Sequence, residues 1–537
     1  MTNAHNEEYR FGSAGWASKA DLKTAGLMDG RGPQIGYYEE NPLNLDGDAP
    51  MITIGGAGSG KTRDLLGYVA CNSPGLRMVA LDPRGELCAI SHHVHAAYDE
   101  YCYSWNPLIM AGVPHHRCNP LDILKPGAAT FHADCKFLAE GFIALSGGGN
   151  SHYFELRARE WTENLMKSRA EMHGSTSLPD LYRVINAIEA DRHKWADQLE
   201  AMLASKFDSV RRVAAEMLTK QQDTPKEFGA IMGEIYAHLN FLDDPNLLAS
   251  LEEAEFSFEQ VIDPNRVSKF FLIVPAEYLS IWSPLVRLFF TVAMLYKSRA
   301  PQSERVLLLV DEAGQLGKFE TLLRAFTYGR GAGVRAWAIF QDVGQIVRNF
   351  GQPALQGFLG SAQMRQFFGV RDFETAKLVS SMLGSETLEY DDTLKQDLAR
   401  QKKHEAVRNV MRGADPFEAG REYAHYARVA EHRTKQARSL MTPEEVLDMP
   451  EDRQIIFISG KNLKPIYAAK YPYYTRPEMA GHYLANPYHP PLDAVPIAGR
   501  LGTSWARIVT EPVPGKFASF PQYRAGVWSY VKGYKPT

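Results

Sequence analysis

Eight residues, GGAGSGKT from Gly55 to Thr62, constrain this chain more than any other stretch. The apolar run Met51-Ile52-Thr53-Ile54 leads into them, and Arg63-Asp64-Leu65-Leu66-Gly67-Tyr68-Val69 follows with helical spacing. A buried strand, a glycine-rich turn and a helix beginning near Lys61 make a phosphate-binding loop, with Gly55, Gly60, Lys61 and Thr62 at its fixed positions. The chemistry requires these residue types. Glycines such as Gly58 and Gly60, with Ser59 between them, let the backbone wrap a triphosphate with successive N–H groups inward. The helix N-terminus adds partial positive charge. Lys61 is then placed for the β- and γ-phosphates of ATP, and the Thr62 hydroxyl for Mg²⁺. A chance glycine-rich turn is the competing reading, and the flanking strand and helix weigh against it.

A second carboxylate site narrows the enzyme class. In RVLLLVDE, Arg305 to Glu312, five apolar residues form a strand buried on both faces, as a central parallel strand requires. At its carboxyl end Asp311 suits a Mg²⁺-organising acid, and Glu312 a base that orients and deprotonates the attacking water. A DE pair in this position points to motor-type ATPases, because small GTPases and kinases use other groups for the second role. Further on, the strand Val334 to Phe340 ends at Gln341, whose amide either senses the γ-phosphate or caps the strand. Arg330, in the turn Tyr328-Gly329-Arg330-Gly331-Ala332-Gly333, is either an arginine finger for a neighbouring subunit or a solvated loop arginine. Asp82, in Asp82-Pro83-Arg84-Gly85-Glu86-Leu87 after the strand Arg77 to Leu81, lies either in the nucleotide site or in a plain strand-to-helix turn.

The 537 residues allow two or three domains with full cores, and no run nears the length of apolar sequence that a membrane helix needs. The start MTNAHNEEYR carries no targeting signal, so the sequence predicts a cytoplasmic chain. A net charge of −4 excludes a global basic field, leaving DNA contact to local basic loops. The five cysteines fall between Cys71 and Cys135, near His92, His93, His95, His115 and His116, but their spacing matches no zinc module. Reduced thiols are the better reading.

The expected fold is α/β: a P-loop core with a mainly parallel sheet, plus an inserted all-α domain. Residues 1–50 form an N-terminal segment with a short helix at Ser18 to Ala25. Residues 51–130 and 264–475 form the nucleotide-binding domain. Between them, over 131–263, strands give way to helical periodicity broken by Pro179, Pro225 and Pro245. Residues 391–440, rich in Lys, Arg, Gln and Glu, read as a solvated helical excursion, with nucleic-acid contact as the alternative. Residues 476–537, rich in Pro, Tyr and Gly, read as an extension packed irregularly over the surface.

Taken together, these segments resemble the TraG/TrwB-type coupling-protein ATPases of conjugation and type IV secretion. The resemblance runs from Gly12-Ser13-Ala14-Gly15-Trp16-Ala17 through the phosphate loop, the DPRGEL run, Cys118-Asn119-Pro120-Leu121-Asp122 and DEAGQLGKFETLLRAFTYGRGAGVR. It continues through Ile339-Phe340-Gln341-Asp342 to Leu440-Met441-Thr442-Pro443-Glu444-Glu445-Val446 and Pro450-Glu451-Asp452-Arg453-Gln454. It implies a RecA-like core, a ring hexamer around a DNA-sized channel, and ATP sites shared between subunits with Arg330 acting in trans. It also implies delivery of relaxase-bound single-stranded DNA, or effector proteins, to a secretion channel. Family members usually carry N-terminal transmembrane helices, and this chain begins where those would end. The expectation is either an anchorless member, peripheral at the inner face of a bacterial inner membrane through a partner, or a shortened form of an anchored one. A substrate receptor with slow or regulatory ATP hydrolysis is the alternative function.

Overall fold

The computed structural model describes residues 12–143, 145, 151–390, 392–413, 415–431, 434–488, 494–499, 502–520, 523–524 and 526–533. The N-terminal decapeptide read above for targeting signals lies outside the described residues. The chain enters through a helix, Lys19–Thr24, closed by a capping box in which Ser18 and Asp21 satisfy each other's backbone N–H groups. Strands β1 (Gln34–Tyr38), β2 (Asn41–Asn44), β3 (Met51–Gly55), β4 (Arg77–Asp82), β5 (Tyr101–Trp105), β6 (Ser268–Ile273), β7 (Val306–Val310), β8 (Val334–Phe340) and β9 (Met364–Phe368) follow. After them come β10 (Ser385–Tyr390), β11 (Thr434–Ser439), β12 (Arg453–Ile458), β13 (Ile466–Ala469), β14 (Ala494–Gly499), β15 (Gly502–Pro512) and β16 (Val527–Val531).

Eleven of these strands make one sheet, in the order β2-β1-β13-β12-β9-β3-β8-β7-β4-β6-β5. From β9 to β5 every pairing is parallel, and from β9 outward to β2 every pairing is antiparallel. The parallel strands are covered on both faces, which explains their unbroken apolar runs. Ile52, Ile54, Leu308 and Val310 join one core, while Met51, Leu307 and Leu309 join the other. Fully burying each Leu or Val contributes about 1.5–3 kcal/mol. Consecutive β3 and β4 are held apart by β7 and β8, so the loops at their carboxyl ends open around one crevice.

Between β5 and β6 the chain is helical, from Phe131–Phe142 through Ser151–His173 to Pro245–Ala249. Pro179, Pro225 and Pro245 each stand in a first helical turn, where no N–H partner is lost. Beyond the core, β10 and β11 form a two-stranded ribbon, and the chain between them folds into helices Thr393–Met411 and Pro416–Glu431. Lys402 and Lys403 lie over the rings of Tyr426 and Tyr423 in this pair, and Met411 and Phe417 near its turn are exposed.

Three sequence expectations need correction. The N-terminal segment contributes β1 and β2 to the main sheet as well as its helix. The helix after the phosphate loop opens with a π-helical turn, Thr62–Leu66, before becoming regular at Gly67–Cys71. The C-terminal extension includes a regular antiparallel sheet, β14-β15-β16, with Trp528 and Tyr530 of β16 packed against Tyr523. Alternation was hidden there by proline and glycine. No helix among the described residues is long and apolar enough to cross a membrane.

Candidate functional site

Strand pairing brings the sequence-predicted groups to one edge of the sheet. Leu81 of β4 is in register with Val310 of β7, so the next residues, Asp82 and Asp311, emerge side by side. Ile54 of β3 pairs with Phe340 of β8, which sets Gln341 beside the start of the phosphate loop. These ends surround a cavity of about 520 Å³, lined by Gly58, Ser59, Gly60, Lys61 and Thr62 on one side and Asp82, Asp311, Glu312 and Gln341 on the other. Gly55, by contrast, ends β3 beneath the ring of Phe368 and does not line the cavity.

Gly60 shows why the loop has the sequence it has. Its φ is +84°, and a Cβ there would lie 2.3 Å from Asp64 Oδ2. Lys61 Nζ donates to Glu312 Oε1 at 2.8 Å, and Gln341 Nε2 donates to Glu312 Oε2 at 2.8 Å. One carboxylate thus joins the loop lysine to the end of β8. Gln341 is held in turn, since its backbone N–H donates to Gln345 Oε1, and Gln345 sits on the helix capped by Asp342. Glu312 itself is left-handed, at φ +49°. That conformation costs a non-glycine residue about 1–2 kcal/mol, and strain of this kind is characteristic of functional positions. The Glu312 N–H donates to Asp311 Oδ1 at 2.9 Å, tying the pair together.

The buried acids have altered protonation. Burial pushes the Asp311 carboxyl up to about 6, the charge of Glu312 adds to this, and Lys61 opposes it. Burial pushes Asp82 up to about 7 against hydrogen bonds from the Cys88 and Leu87 N–H groups. Asp82 Oδ2 accepts from Cys88 N–H, so the residue anchors the helix Glu86–Ala97 while lining the cavity. Asp82 thus combines a place in the cavity wall with the strand-to-helix turn. As oxygen donors, the Thr62 hydroxyl and the Asp311 carboxylate suit Mg²⁺, and the loop suits a polyphosphate.

Arg330 stands apart. It precedes β8, whereas Gln341 follows it, so the two occupy opposite ends of the strand. Its side chain is 69% exposed and donates from Nε to Asp48 Oδ2 at 2.9 Å. Its own chain's cavity does not include it.

Sequence reading missed Arg84, Glu86 and Gln315, which also line the cavity, and Lys470, buried under the phosphate loop. DPRGEL and DEAGQ contain the first three, but nothing in YAAK marks Lys470. The cysteines are free thiols, and among the described residues no group of three or more His, Cys, Asp or Glu is placed to hold a metal ion. His115 and His116 instead accept the backbone N–H groups of Asn106 and Ser104.

Residues 9–413 and 422–490 match the family described as Type IV secretory system Conjugative DNA transfer. The chain is 23% identical over 491 residues to the protein VirD4 of Rhizobium rhizogenes, an alignment covering 88% of this chain and 67% of VirD4. It is 22% identical over 493 residues to the conjugal transfer protein TraG of Escherichia coli, covering 82% of this chain and 71% of TraG. Among solved structures, the plasmid coupling protein TrwB in complex with ADP and Mg²⁺ superposes with a TM-score of 0.57 at 17% identity, over 85% of this chain and 93% of TrwB. TrwB in complex with the non-hydrolysable ATP analogue ADPNP gives 0.58 at 16% identity, over 87% and 95%. The RecA-like core with its all-α segment is the fold they share.

Proposed function

Because the chain belongs to the Type IV secretory system Conjugative DNA transfer family, we propose that it is a Mg²⁺-dependent ATPase that couples nucleotide hydrolysis to DNA transfer. The observation that carries this reading is the convergence of Lys61, Asp311, Glu312 and Gln341 on one cavity at the edge of a parallel sheet. ATP supplies a phosphoryl group for transfer to water, with Mg²⁺ neutralising charge on its phosphates. The chain's own groups divide the remaining work. The loop around Gly58 and Gly60 cradles phosphate oxygens, and Lys61 places a positive charge among them. Thr62 and Asp311 would hold Mg²⁺ through their oxygens. Glu312 takes the proton of the attacking water. Gln341, already bonded to Glu312, orients that water or reports on the terminal phosphate. A nucleotide phosphate competes with Glu312 for the Lys61 ammonium.

Arg330 completes the site of a neighbouring copy in a ring of six. Its exposure, and its place at the far end of β8 from Gln341, favour action in trans. The substrates are single-stranded DNA carried with its relaxase, or effector proteins. They are delivered to a secretion channel at the inner face of the bacterial inner membrane. The test is ATP turnover by the full chain with and without single-stranded DNA. Turnover that rises with DNA and vanishes in Lys61→Ala supports the motor. Turnover indifferent to DNA in every assembly state refutes it.

A further inference from the structure

One buried cation has no part in the scheme above. Lys470 follows β13, is 2% exposed and does not line the nucleotide cavity. Its Nζ donates to the Ser59 carbonyl at 2.7 Å, lies 3.5 Å from Asp64 Oδ2, and stands 4.2 Å from the centre of the Phe368 ring. An ammonium has three N–H groups, and here each direction has a partner: a carbonyl, a carboxylate and an aromatic face. Asp64 is itself buried, held by Arg63 from Nε at 2.5 Å and Nη2 at 3.0 Å. The Lys470 backbone N–H donates to the Asp452 carbonyl at 2.8 Å, fixing the base of the side chain.

Burying an ammonium is costly, and an apolar side chain of similar size would fill the space at less expense. The Ser59 contact explains what the charge accomplishes. In a trans peptide the C=O and the following N–H point in opposite directions. A Ser59 carbonyl drawn down onto Lys470 therefore turns the Gly60 N–H the other way, towards the cavity that Gly60 lines. Independently, the Gly60 N–H finds no protein acceptor among the described residues.

We infer that Lys470 is a positioning residue for nucleotide binding, gripping the Ser59 carbonyl so that the Gly60 N–H is presented to a phosphate oxygen. This rests on the nucleotide-binding reading above. Asp64, in the first turn after the loop, opposes the lowering that burial imposes on the Lys470 pKa and holds the ammonium in place. The antiparallel half of the sheet, through β13, thereby sets the geometry of a loop carried by the parallel half.

The test separates this role from a purely structural ion pair. Lys470→Met alone leaves the buried Asp64 with Arg63 as its remaining cation, so the informative variant is Asp64→Asn with Lys470→Met, which removes both buried charges together. It is expected to melt within a few degrees of the parent. Its Kd for ADP with Mg²⁺ and its KM for ATP should each rise about tenfold while kcat changes less than about threefold, the pattern for loss of a contact made equally before and during the reaction. Lys470→Arg, which keeps a charged donor, should recover most of the affinity. A second measurement needs no variant: with 13C′-Ser and 15N-Gly labelling of the parent, the Gly60 amide should shift downfield on addition of ADP. Parental affinity in the double variant, or an unmoved Gly60 amide in a parent that binds ADP, overturns the inference alone. A parent that binds no ADP overturns the proposed function as well.

Discussion

Glu312→Gln is expected to do two opposite things, bind ATP more tightly and hydrolyse it far more slowly. Glu312 grips Lys61 at 2.8 Å, with the two side chains only 20% and 10% exposed, so solvent screens the pair weakly. A hydrogen bond to a charged group contributes about 1.5–3 kcal/mol. Glutamine keeps one acceptor oxygen, which can still accept from Lys61 but carries no charge, so roughly half of the Lys61 contribution is lost, about 0.75–1.5 kcal/mol. That energy opposes nucleotide binding in the parent, because Lys61 must exchange one anion for another. Removing it should tighten ATP affinity about three- to tenfold, at about 1.4 kcal/mol per decade. Turnover should fall at least about a hundredfold with the loss of the general base. Fluorescence titration with ATP and Mg²⁺, beside single-turnover hydrolysis, measures both quantities on one preparation. A folded variant with unchanged or weaker ATP affinity refutes the competition between Glu312 and phosphate for Lys61. Undiminished hydrolysis removes Glu312 as the base.

Mixing Glu312→Gln with Arg330→Ala, each inactive alone, should restore part of the activity wherever an intact Glu312 site meets an intact Arg330; a co-assembled mixture that stays inactive refutes action in trans. Gly369→Ala should cost about 2–5 kcal/mol by denaturant unfolding, from about 1–2 for a left-handed alanine and about 1–3 for overpacking, since its φ is +55° and a Cβ would lie 2.4 Å from Ser59 Cβ. An unaltered stability would show that β9 does not press on the loop. Asp82, raised from 3.8 to about 7 by burial, holds its proton longer in the folded state than in the unfolded chain. Its stabilising contribution is therefore full below about pH 4 and is lost as pH rises through 7. Asp82→Asn abolishes this titration, so the parent's melting temperature should gain on the variant's between pH 8 and pH 5; a difference independent of pH contradicts the assignment.

The parts of the site that sequence made legible are those where chemistry and chain are contiguous. GGAGSGKT and VDE each carry their own strand, turn and functional group, so local pattern suffices. The antiparallel half of the sheet was harder to read because its strands are short and mix polar residues into buried positions. Gln366 in β9 is fully buried, yet it accepts from the Thr53 hydroxyl at 2.7 Å and donates to the Ile35 carbonyl and to Gln454 Oε1. Trp337 of β8 donates to the same Thr53 hydroxyl. This polar chain stitches β1, β12, β9, β3 and β8 together, and each member looks like a surface residue until its partners are in place. Lys470 is a similar case, since a lysine after an apolar strand normally marks the exit to solvent. For Arg330 the sequence supplied its glycine-flanked turn, and the structure adds its distance from its own cavity.

Strand β8 has a mechanical consequence. Seven residues of extended chain, roughly 23 Å at about 3.3 Å each, lie between the turn that bears Arg330 and the amide of Gln341. Every residue of that strand is buried and it is hydrogen-bonded on both sides, so it can neither shorten nor bow. It behaves as a stiff rod with a cavity-facing tip at one end and an exposed guanidinium near the other. Arg330 is borne by the short turn Gly329–Ala332 at one end of this rod, so any reach beyond the span of that turn must come from moving the rod itself. In an assembly where Arg330 serves the next subunit, engaging and releasing that site requires whole subunits to rotate or slide against each other. Nucleotide chemistry in one copy would then be inseparable from rigid-body movement of the ring.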